Sequence, residues 1–497
     1  AQIRQLPVEP VEQVNQDVSL TAIETPALPE PQTVWQRMLS GYQLDKPMNS
    51  RVKAEYDWYL KHPEYLRRVQ QRAEPFIHHI LNEIEQRQLP TELALLPVVE
   101  SAFQPFAYSH GRAAGLWQFI PSTGKYYGLK QNWWYDGRRD VIAATAAALD
   151  YLQSLNKQLG HWEYALAGYN AGAGNVRRAI RKNKKRNLPL DYWHLDLPRE
   201  TEGYVPRLIA ISLIFRDAEK LGIELLPIAD SPRIAVVDVG SQIDLAKAAQ
   251  MADMQMDELY HLNPAFNRWA TDPDGPHRLV VPIEKADIFK TALAGLKPAD
   301  MLQWQRYKIK AGDSLSVIAR QHQTTTAIIK DVNNLKNNRI RAGKYLLIPV
   351  SSADAKVYSQ SVSQRLARKQ NTKRKGNRVS YNVQPGDNLW DISRQFKVSY
   401  KQLAKWNGMA PGDTLRPGQK LVVWTDKKSP TVASSPININ QRMSKIRYTI
   451  KRGDSLYEIA DKFNVSVADL KSWNGINGSM IKPGQKLMLQ VDVTEQL

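Results

Sequence analysis

Glu100 ends an apolar run, Leu95-Leu-Pro-Val-Val-Glu100, and is followed by Ser101. Burial among apolar neighbours disfavours the charged form of a carboxyl and raises its pKa. A glutamate so placed can hold its proton near neutral pH and deliver it to a leaving oxygen. Three other segments set polar side chains among apolar ones: Gly115-Leu-Trp117-Gln118-Phe119-Ile-Pro121, Ala165-Leu-Ala-Gly168-Tyr169-Asn170-Ala-Gly172 and Glu202-Gly-Tyr204-Val205-Pro206. Taken singly, each also has a plain structural reading. A glutamate after apolar residues is usually a solvated helix edge, Gln118 can be a satisfied core amide, and Tyr169 and Tyr204 can simply pack. Gly168 and Gly172 can mark close helix contacts and a helix end. The loop Tyr108-Ser109-His110-Gly-Arg112 reads as a cleft lining in which His110 is structural. Nine histidines, no cysteine and no His-Glu-x-x-His give no metal site, and no cofactor is expected.

A second motif repeats. Tyr307-Lys-Ile-Lys-Ala-Gly312-Asp313-Ser314-Leu315, Tyr381-Asn-Val-Gln-Pro-Gly386-Asp387-Asn388-Leu389 and Tyr448-Thr-Ile-Lys-Arg-Gly453-Asp454-Ser455-Leu456 share one pattern. Each is followed at the same spacing by an asparagine (Asn333, Asn407, Asn474), then by a glycine (Gly343, Gly418, Gly484) and a short apolar strand. An alternating strand, a Gly-Asp turn, two short helices and a closing strand make a βααβ unit. In the third copy Ile459, Ala460 and Phe463 share a face of the first helix, and Val467, Leu470 and Trp473 a face of the second. A weaker fourth copy lies upstream. Leu245, Ala249, Met254, Leu259 and Asn263 fall at the offsets of Leu456, Ala460, Val465, Leu470 and Asn474, and Leu279-Val280-Val281-Pro282 resembles the closing strand. There Gly240-Ser-Gln-Ile replaces the Gly-Asp turn and an insertion follows Asn263, so the same fold is expected without the same binding loop.

The elements that must position Glu100 are helical. From Val34 to about Leu226 nothing alternates with a strand period for long. Val141 to Leu159 reads as a central alanine-rich helix with Asp140 as its N-cap and Gly160 as its stop. The expected architecture is an α+β multidomain chain. An extended tether (1–33) leads to a mainly α domain (34–230), a degenerate module (231–300) and a first module (305–350). A basic linker (351–379), a second module (380–425), another linker (426–445) and a third module (446–491) follow. Both linkers read as flexible from their Ser, Gln, Pro and Lys/Arg content.

The repeats closely resemble the LysM module. The resemblance implies binding of N-acetylglucosamine-containing chains, peptidoglycan or chitin, in a groove between the loop after the first strand and the loop after the second helix. Carried onto this chain, it implies glycan contacts from Gly312, Asp313, Ser314 and Asn333, from Gly386, Asp387, Asn388 and Asn407, and from Gly453, Asp454, Ser455 and Asn474. The plain alternative is that Gly-Asp is a turn and Asn a helix stop. Weak modules in tandem gain avidity on a polymer.

The four segments of the helical domain, in this order, resemble the lytic murein transglycosylases with a goose-type lysozyme-like domain. Trp117 stands where Met is usual and Gly168 where Ala is usual; both departures match a membrane-bound branch with C-terminal LysM modules. The resemblance implies cleavage of the MurNAc-GlcNAc β-1,4 bond with formation of 1,6-anhydro-MurNAc ends. Glu100 would act as acid and then base, with Tyr204 beside it. Ser101, Ser109, Gln118, Tyr169 and Asn170 would line the groove, and Trp117 and Phe119 would stack on sugars or pack in the core. Asp136, Asp140, Glu163 and Glu202 stay open as a second carboxylate. A lysozyme-type hydrolase and an inactive wall-binding scaffold are the alternatives.

The charge fits an acidic polymer. The chain has 497 residues, 42% of them apolar, and a formal net charge of +19. Residues 301–497 carry a balance of +21 and residues 1–300 one of −2, so the basic excess sits on the repeats and their linkers. No nucleic-acid motif accompanies it, and none is expected as partner. The basic run from Arg177 to Arg186 reads as a solvated helix face. The resemblance places the chain in the bacterial periplasm or cell envelope. The resemblance implies a lipid on an N-terminal cysteine in many relatives; this sequence has no cysteine, so membrane attachment would need an anchor outside the residues given. The first residue, Ala1, reads as that of a processed or trimmed chain.

Overall fold

The computed structural model describes residues 32–425 and, beyond them, 443–450, 454–456, 459–460, 467–476, 478, 481 and 483–492. The tether up to residue 31, most of the linker 426–445, Gly453 and Phe463 lie outside the described residues. The first part is a helical body. Helices Val34–Ser40, Ser50–Leu60, Pro63–Ala73 and Ile77–Gln86 lead into the 3₁₀ turn Thr91–Leu95 and the short helix Leu96–Ser101. Pro121–Tyr126, Val141–Leu159, Trp162–Ala171, Ala173–Lys185 and Arg199–Arg216 complete it.

Helix Val141–Leu159 is bounded as its sequence dictates. Asp140 accepts a hydrogen bond from Ala143 N at 2.9 Å, and Gly160 closes the helix with φ +87°. Its buried Ala144, Ala147 and Ala148 let Ile77–Gln86 and Trp162–Ala171 approach closely. Helix Arg199–Arg216 runs through the core with Pro206 inside it. Proline cannot donate to the carbonyl one turn back. That carbonyl, Glu202 O, accepts instead from the Tyr192 hydroxyl at 3.0 Å. The helix therefore continues past Pro206, and Tyr204 stays in a regular turn.

Four antiparallel strand pairs follow: β1 (Ile234–Asp238) with β2 (Arg278–Pro282), β3 (Gln303–Lys308) with β4 (Tyr345–Val350), β5 (Asn377–Asn382) with β6 (Lys420–Thr425), and β7 (Met443–Thr449) with β8 (Lys486–Asp492). In the last three, the motif tyrosine faces a leucine of the closing strand: Tyr307–Leu346, Tyr381–Leu421 and Tyr448–Leu487. Each has its own small apolar core. The class is α+β, as the sequence implies.

The module around β1 and β2 is fused to the helical body through one continuous core. The insertion after Asn263 makes the joint. Asp136 N donates to Ala265 O at 2.9 Å, Asn267 N to Trp134 O at 2.7 Å, and Lys130 pairs with Asp272 at 2.9 Å. The insertion thus has a structural use that its sequence did not declare.

The stretch 351–379 corrects its expected flexibility. It forms a bracket with a helix, Val362–Asn371. Tyr358 is buried and donates to both carboxylate oxygens of buried Asp244 at 2.9 Å, while Ser352 N donates to Asp244 Oδ2 at 2.7 Å. Val362 N donates to Asn267 O at 2.9 Å. At the helix end, Gln370 donates to Asn407 Oδ1 at 2.9 Å. Composition hides this because one tyrosine anchors a segment whose other side chains are mostly polar.

Candidate active site

Glu100 sits in the last turn of helix Leu96–Ser101. The helix stops there because Ala102 and Phe103 both turn into the left-handed region, with φ +51° and +54°. Their amides bond back to Val98 O and Pro97 O at 3.1 Å each. Burial raises the Glu100 pKa to about 7; the Tyr204 hydrogen bond opposes this, and the charge of Glu200 adds to it. Tyr204, 2% exposed, donates its hydroxyl to Glu100 Oε1. Burial and the adjacent Glu100 charge hold the Tyr204 phenol well above its ordinary value, so it stays a donor.

The four segments close into a ring of hydrogen bonds. Ser101 Oγ donates to Leu116 O at 3.0 Å. Tyr169 donates to Trp117 O at 2.8 Å. Thr201 Oγ1 donates to Asn170 Oδ1 at 2.7 Å. Tyr204 then returns to Glu100. Gly115 makes the tight loop possible: its φ is +81°, and a Cβ there would lie 2.1 Å from Arg138 O. Gln118, with φ +46°, donates to Gly115 O at 2.8 Å.

Trp117 is fully buried, with its indole N–H donated to Thr145 Oγ1 at 3.0 Å, and Phe119 is 3% exposed. Both are core residues, which corrects the sugar-stacking option. Phe119 meets the Tyr169 ring edge-on at 6.2 Å. Ser109 lies outside the ring; its hydroxyl accepts from Ala113 N at 3.0 Å and folds its own loop. Of the open carboxylates, Asp136 is held by Arg138 at 2.8 Å, and Asp140 caps its helix and pairs with Arg278 at 2.8 Å. Sequence reasoning missed Thr201, Thr145 and Glu200. Thr201 precedes Tyr204 by three positions, the spacing of one helix face.

In the repeats the motif side chains are engaged within each module. Asp313 accepts from Tyr307 at 2.9 Å and from Lys310 N at 2.7 Å; Asp387 accepts from Tyr381 and Gln384 N at 2.7 Å each; Asp454 accepts from Tyr448 at 2.7 Å. Ser314 and Asn388 cap the helices that follow. Asn333, Asn407 and Asn474 each donate twice, to a carbonyl one helical turn back and to the closing strand, and accept from that strand's amide. Asn263 repeats this pin with Leu259 O, Val280 O and Val280 N. These side chains hold the loops. The Gly312 and Gly386 turns, with φ +86° and +92°, contribute backbone.

The helical body and its closed ring define a lysozyme-like transglycosylase followed by LysM modules. Residues 80–189 match the Transglycosylase SLT domain, residues 233–298 the domain described as Lytic transglycosylase MltD, LysM-like domain, and residues 307–349, 381–424 and 448–489 the LysM domain. The chain is 35% identical to membrane-bound lytic murein transglycosylase D of Escherichia coli over 402 residues, 79% of this chain and 85% of that one. It is 36% identical to an autolysin of Enterococcus faecalis over 37% of this chain and 24% of that one. It is 32% identical to N-acetylmuramoyl-L-alanine amidase sle1 of Staphylococcus saprophyticus over 36% of this chain and 50% of that one. The chain belongs to the membrane-bound lytic murein transglycosylase D family: it is a peptidoglycan lytic transglycosylase with LysM binding modules.

Proposed function

We propose that Glu100 is the acid and base of a cleavage that leaves 1,6-anhydro-MurNAc ends. The observation that carries this is a half-buried carboxyl whose desolvation lifts its pKa to about 7 and whose hydrogen-bond partner is a buried phenol. Protonated, Glu100 gives its proton to the glycosidic oxygen between MurNAc and GlcNAc as that bond breaks. The substrate's N-acetyl oxygen supports the positive C1. Glu100, now a carboxylate, takes the proton of the MurNAc O6 hydroxyl as that oxygen bonds to C1. Tyr204 orients the carboxyl and stabilises its charged form. Water takes no part, so a second carboxylate to activate it is not needed.

Ser101, Ser109, Gln118, Tyr169 and Asn170 serve the groove in different ways. Ser101 and Tyr169 brace it through the backbone of Leu116 and Trp117. Gln118 Oε1 and Asn170 Nδ2 have no partner among the described residues, which leaves one acceptor and one donor for sugar acetamide groups. Ser109 keeps its hydroxyl proton for the strand. In the LysM modules glycan contact falls to the backbone of the loops that Asp313, Asp387, Asp454 and the three asparagines hold. Gly453, which lies outside the described residues, belongs to the same proposal by sequence.

The name of the Escherichia coli relative supports a place in the cell envelope, periplasmic or at the outer membrane, with any lipid anchor outside these residues. Among the described residues no helix is long and apolar enough to cross a membrane. Digestion of purified murein, read by mass spectrometry of the muropeptides, tests the chemistry. Anhydro ends, one water lighter than reducing ends, are expected; reducing ends would replace the proposal with hydrolysis.

A further inference from the structure

The joint between the helical body, the fused module and the first LysM module encloses a groove of about 440 Å³. Small-ligand sites commonly span ~300–1,000 Å³. Its walls come from four parts of the chain: Trp133 of the body, Arg268 of the fused module, Ser316, Arg320 and Thr324 of the first LysM module, and Ser363 of the bracket. Most of its lining from that LysM module comes from the turn between the module's two helices, and Ser316, whose hydroxyl lies 3.0 Å from that of Ser314, borders the Gly312 loop.

Among the described residues no carboxylate lines this groove. Arg268 stacks on the Trp133 ring at 3.9 Å and donates its Nε to Trp133 O at 3.1 Å. Its two terminal nitrogens have no partner among the described residues, and it forms no ion pair there. Burial, with the nearby charge of Arg416, lowers its pKa to about 10. Arg320 is exposed and also makes no ion pair among the described residues. Thr324 is 4% exposed, and its hydroxyl has no partner among the described residues. Buried polar groups are nearly always satisfied, so an orphan beside an uncompensated guanidinium points to a ligand.

We propose that this groove binds a carboxylate-bearing amino sugar of murein, its carboxylate on Arg268 and Arg320 and a sugar or peptide face on Trp133. A guanidinium fork matches a carboxylate, and an indole with hydroxyls around it suits a saccharide. The proposal rests on the murein reading above. Because the walls come from separate parts of the chain, occupancy also holds the first LysM module in place against the catalytic body.

The test is calorimetric titration of the full chain with N-acetylmuramic acid, with N-acetylmuramyl-L-alanyl-D-isoglutamine, and with neutral N-acetylglucosamine. At least one acidic probe is expected to bind tenfold or more tightly than N-acetylglucosamine, a preference that weakens as salt rises. Preference for N-acetylmuramic acid identifies the lactyl carboxylate as the ligand group; preference for the muramyl dipeptide identifies the stem carboxylate. Arg268→Gln should abolish the preference, Arg268→Lys retain part of it, and exposed Arg320→Gln reduce it severalfold with no change in thermal unfolding. Equal binding of all three probes, or a preference unchanged in both Gln variants, overturns the proposal. Release of anhydromuropeptides by the unsubstituted chain is scored separately. If products form and no preference exists, only the groove falls; if no anhydro product forms, the murein reading fails on its own.

Discussion

Tyr204 reaches across 104 residues of sequence to donate its hydroxyl to Glu100. The bond ties the long helix Arg199–Arg216 to the short helix Leu96–Ser101, and it closes the ring that joins the four segments. It also sets two opposed effects on one carboxyl. Burial favours the protonated form, and the phenol favours the charged one.

Replacing Glu100 by Gln removes the proton donor and keeps its shape. Murein cleavage should fall about a thousandfold, within the range general acid catalysis supplies. The folded chain should gain stability above pH 7. A carboxyl raised in the folded state contributes stability that is full below its ordinary pKa and is lost as pH rises through about 7. Thermal unfolding at pH 5 and pH 8 reads the difference; a variant whose activity survives removes Glu100 from the mechanism.

The pH profile carries a second outcome. Activity that needs protonated Glu100 should decline above about pH 7. In Tyr204→Phe the partner favouring the charged form is gone, so the upper limb should move to higher pH. The maximal rate should drop about tenfold, as expected when a positioning bond is lost. A limb that stays put or moves down would show that Tyr204 does not tune the acid.

Two glycines should respond differently to alanine. At Gly115 the new Cβ meets Arg138 O at 2.1 Å with φ at +81°. Gly115→Ala should cost more than about 1 kcal/mol and lower activity by displacing Gln118. At Gly168 the Cβ meets the movable tips of Leu159 and Leu155, at 3.1 and 3.2 Å, and the Ala173 backbone at an ordinary 3.7 Å. A helix gains about 0.5–1 kcal/mol from Ala over Gly, so Gly168→Ala should be near neutral. Melting curves and murein turnover of the pair check both.

Asn407→Ala should loosen its module. The buried amide of Val422 and the carbonyls of Leu403 and Val422 lose their partner. A cost of about 2–3 kcal/mol is expected from groups left unsatisfied. Hydrogen exchange across 377–425 should rise, with residues 34–230 unchanged; uniform protection would make the pin dispensable.

Asp244→Ala should free the bracket. Asp244 caps helix Leu245–Met251 and accepts from Tyr358 and Ser352 N. Faster exchange and proteolysis within 351–371 are expected, and unchanged cleavage there would mean other contacts hold the bracket.

The sequence by itself determined the local pieces. The asparagines 18 positions after the motif leucines, the Gly-Asp turns and the Asp140 and Gly160 caps are short-range rules, so the βααβ units and the central helix were legible residue by residue. Glu100, Gln118, Tyr169, Asn170 and Tyr204 were legible as candidates through the resemblance of their four segments, in order, to a known family, since each taken singly also had a plain structural reading. The tertiary structure alone decided which of them meet. It put Trp117 and Phe119 in the core, turned the LysM aspartates and asparagines into braces, and recruited Thr201 to the ring. It fused the degenerate module to the body and docked a basic stretch through buried Tyr358 and the hydrogen bonds of Ser352, Val362 and Gln370. These outcomes rest on burial and on hydrogen bonds between residues far apart in sequence, and both exist only once the chain has packed.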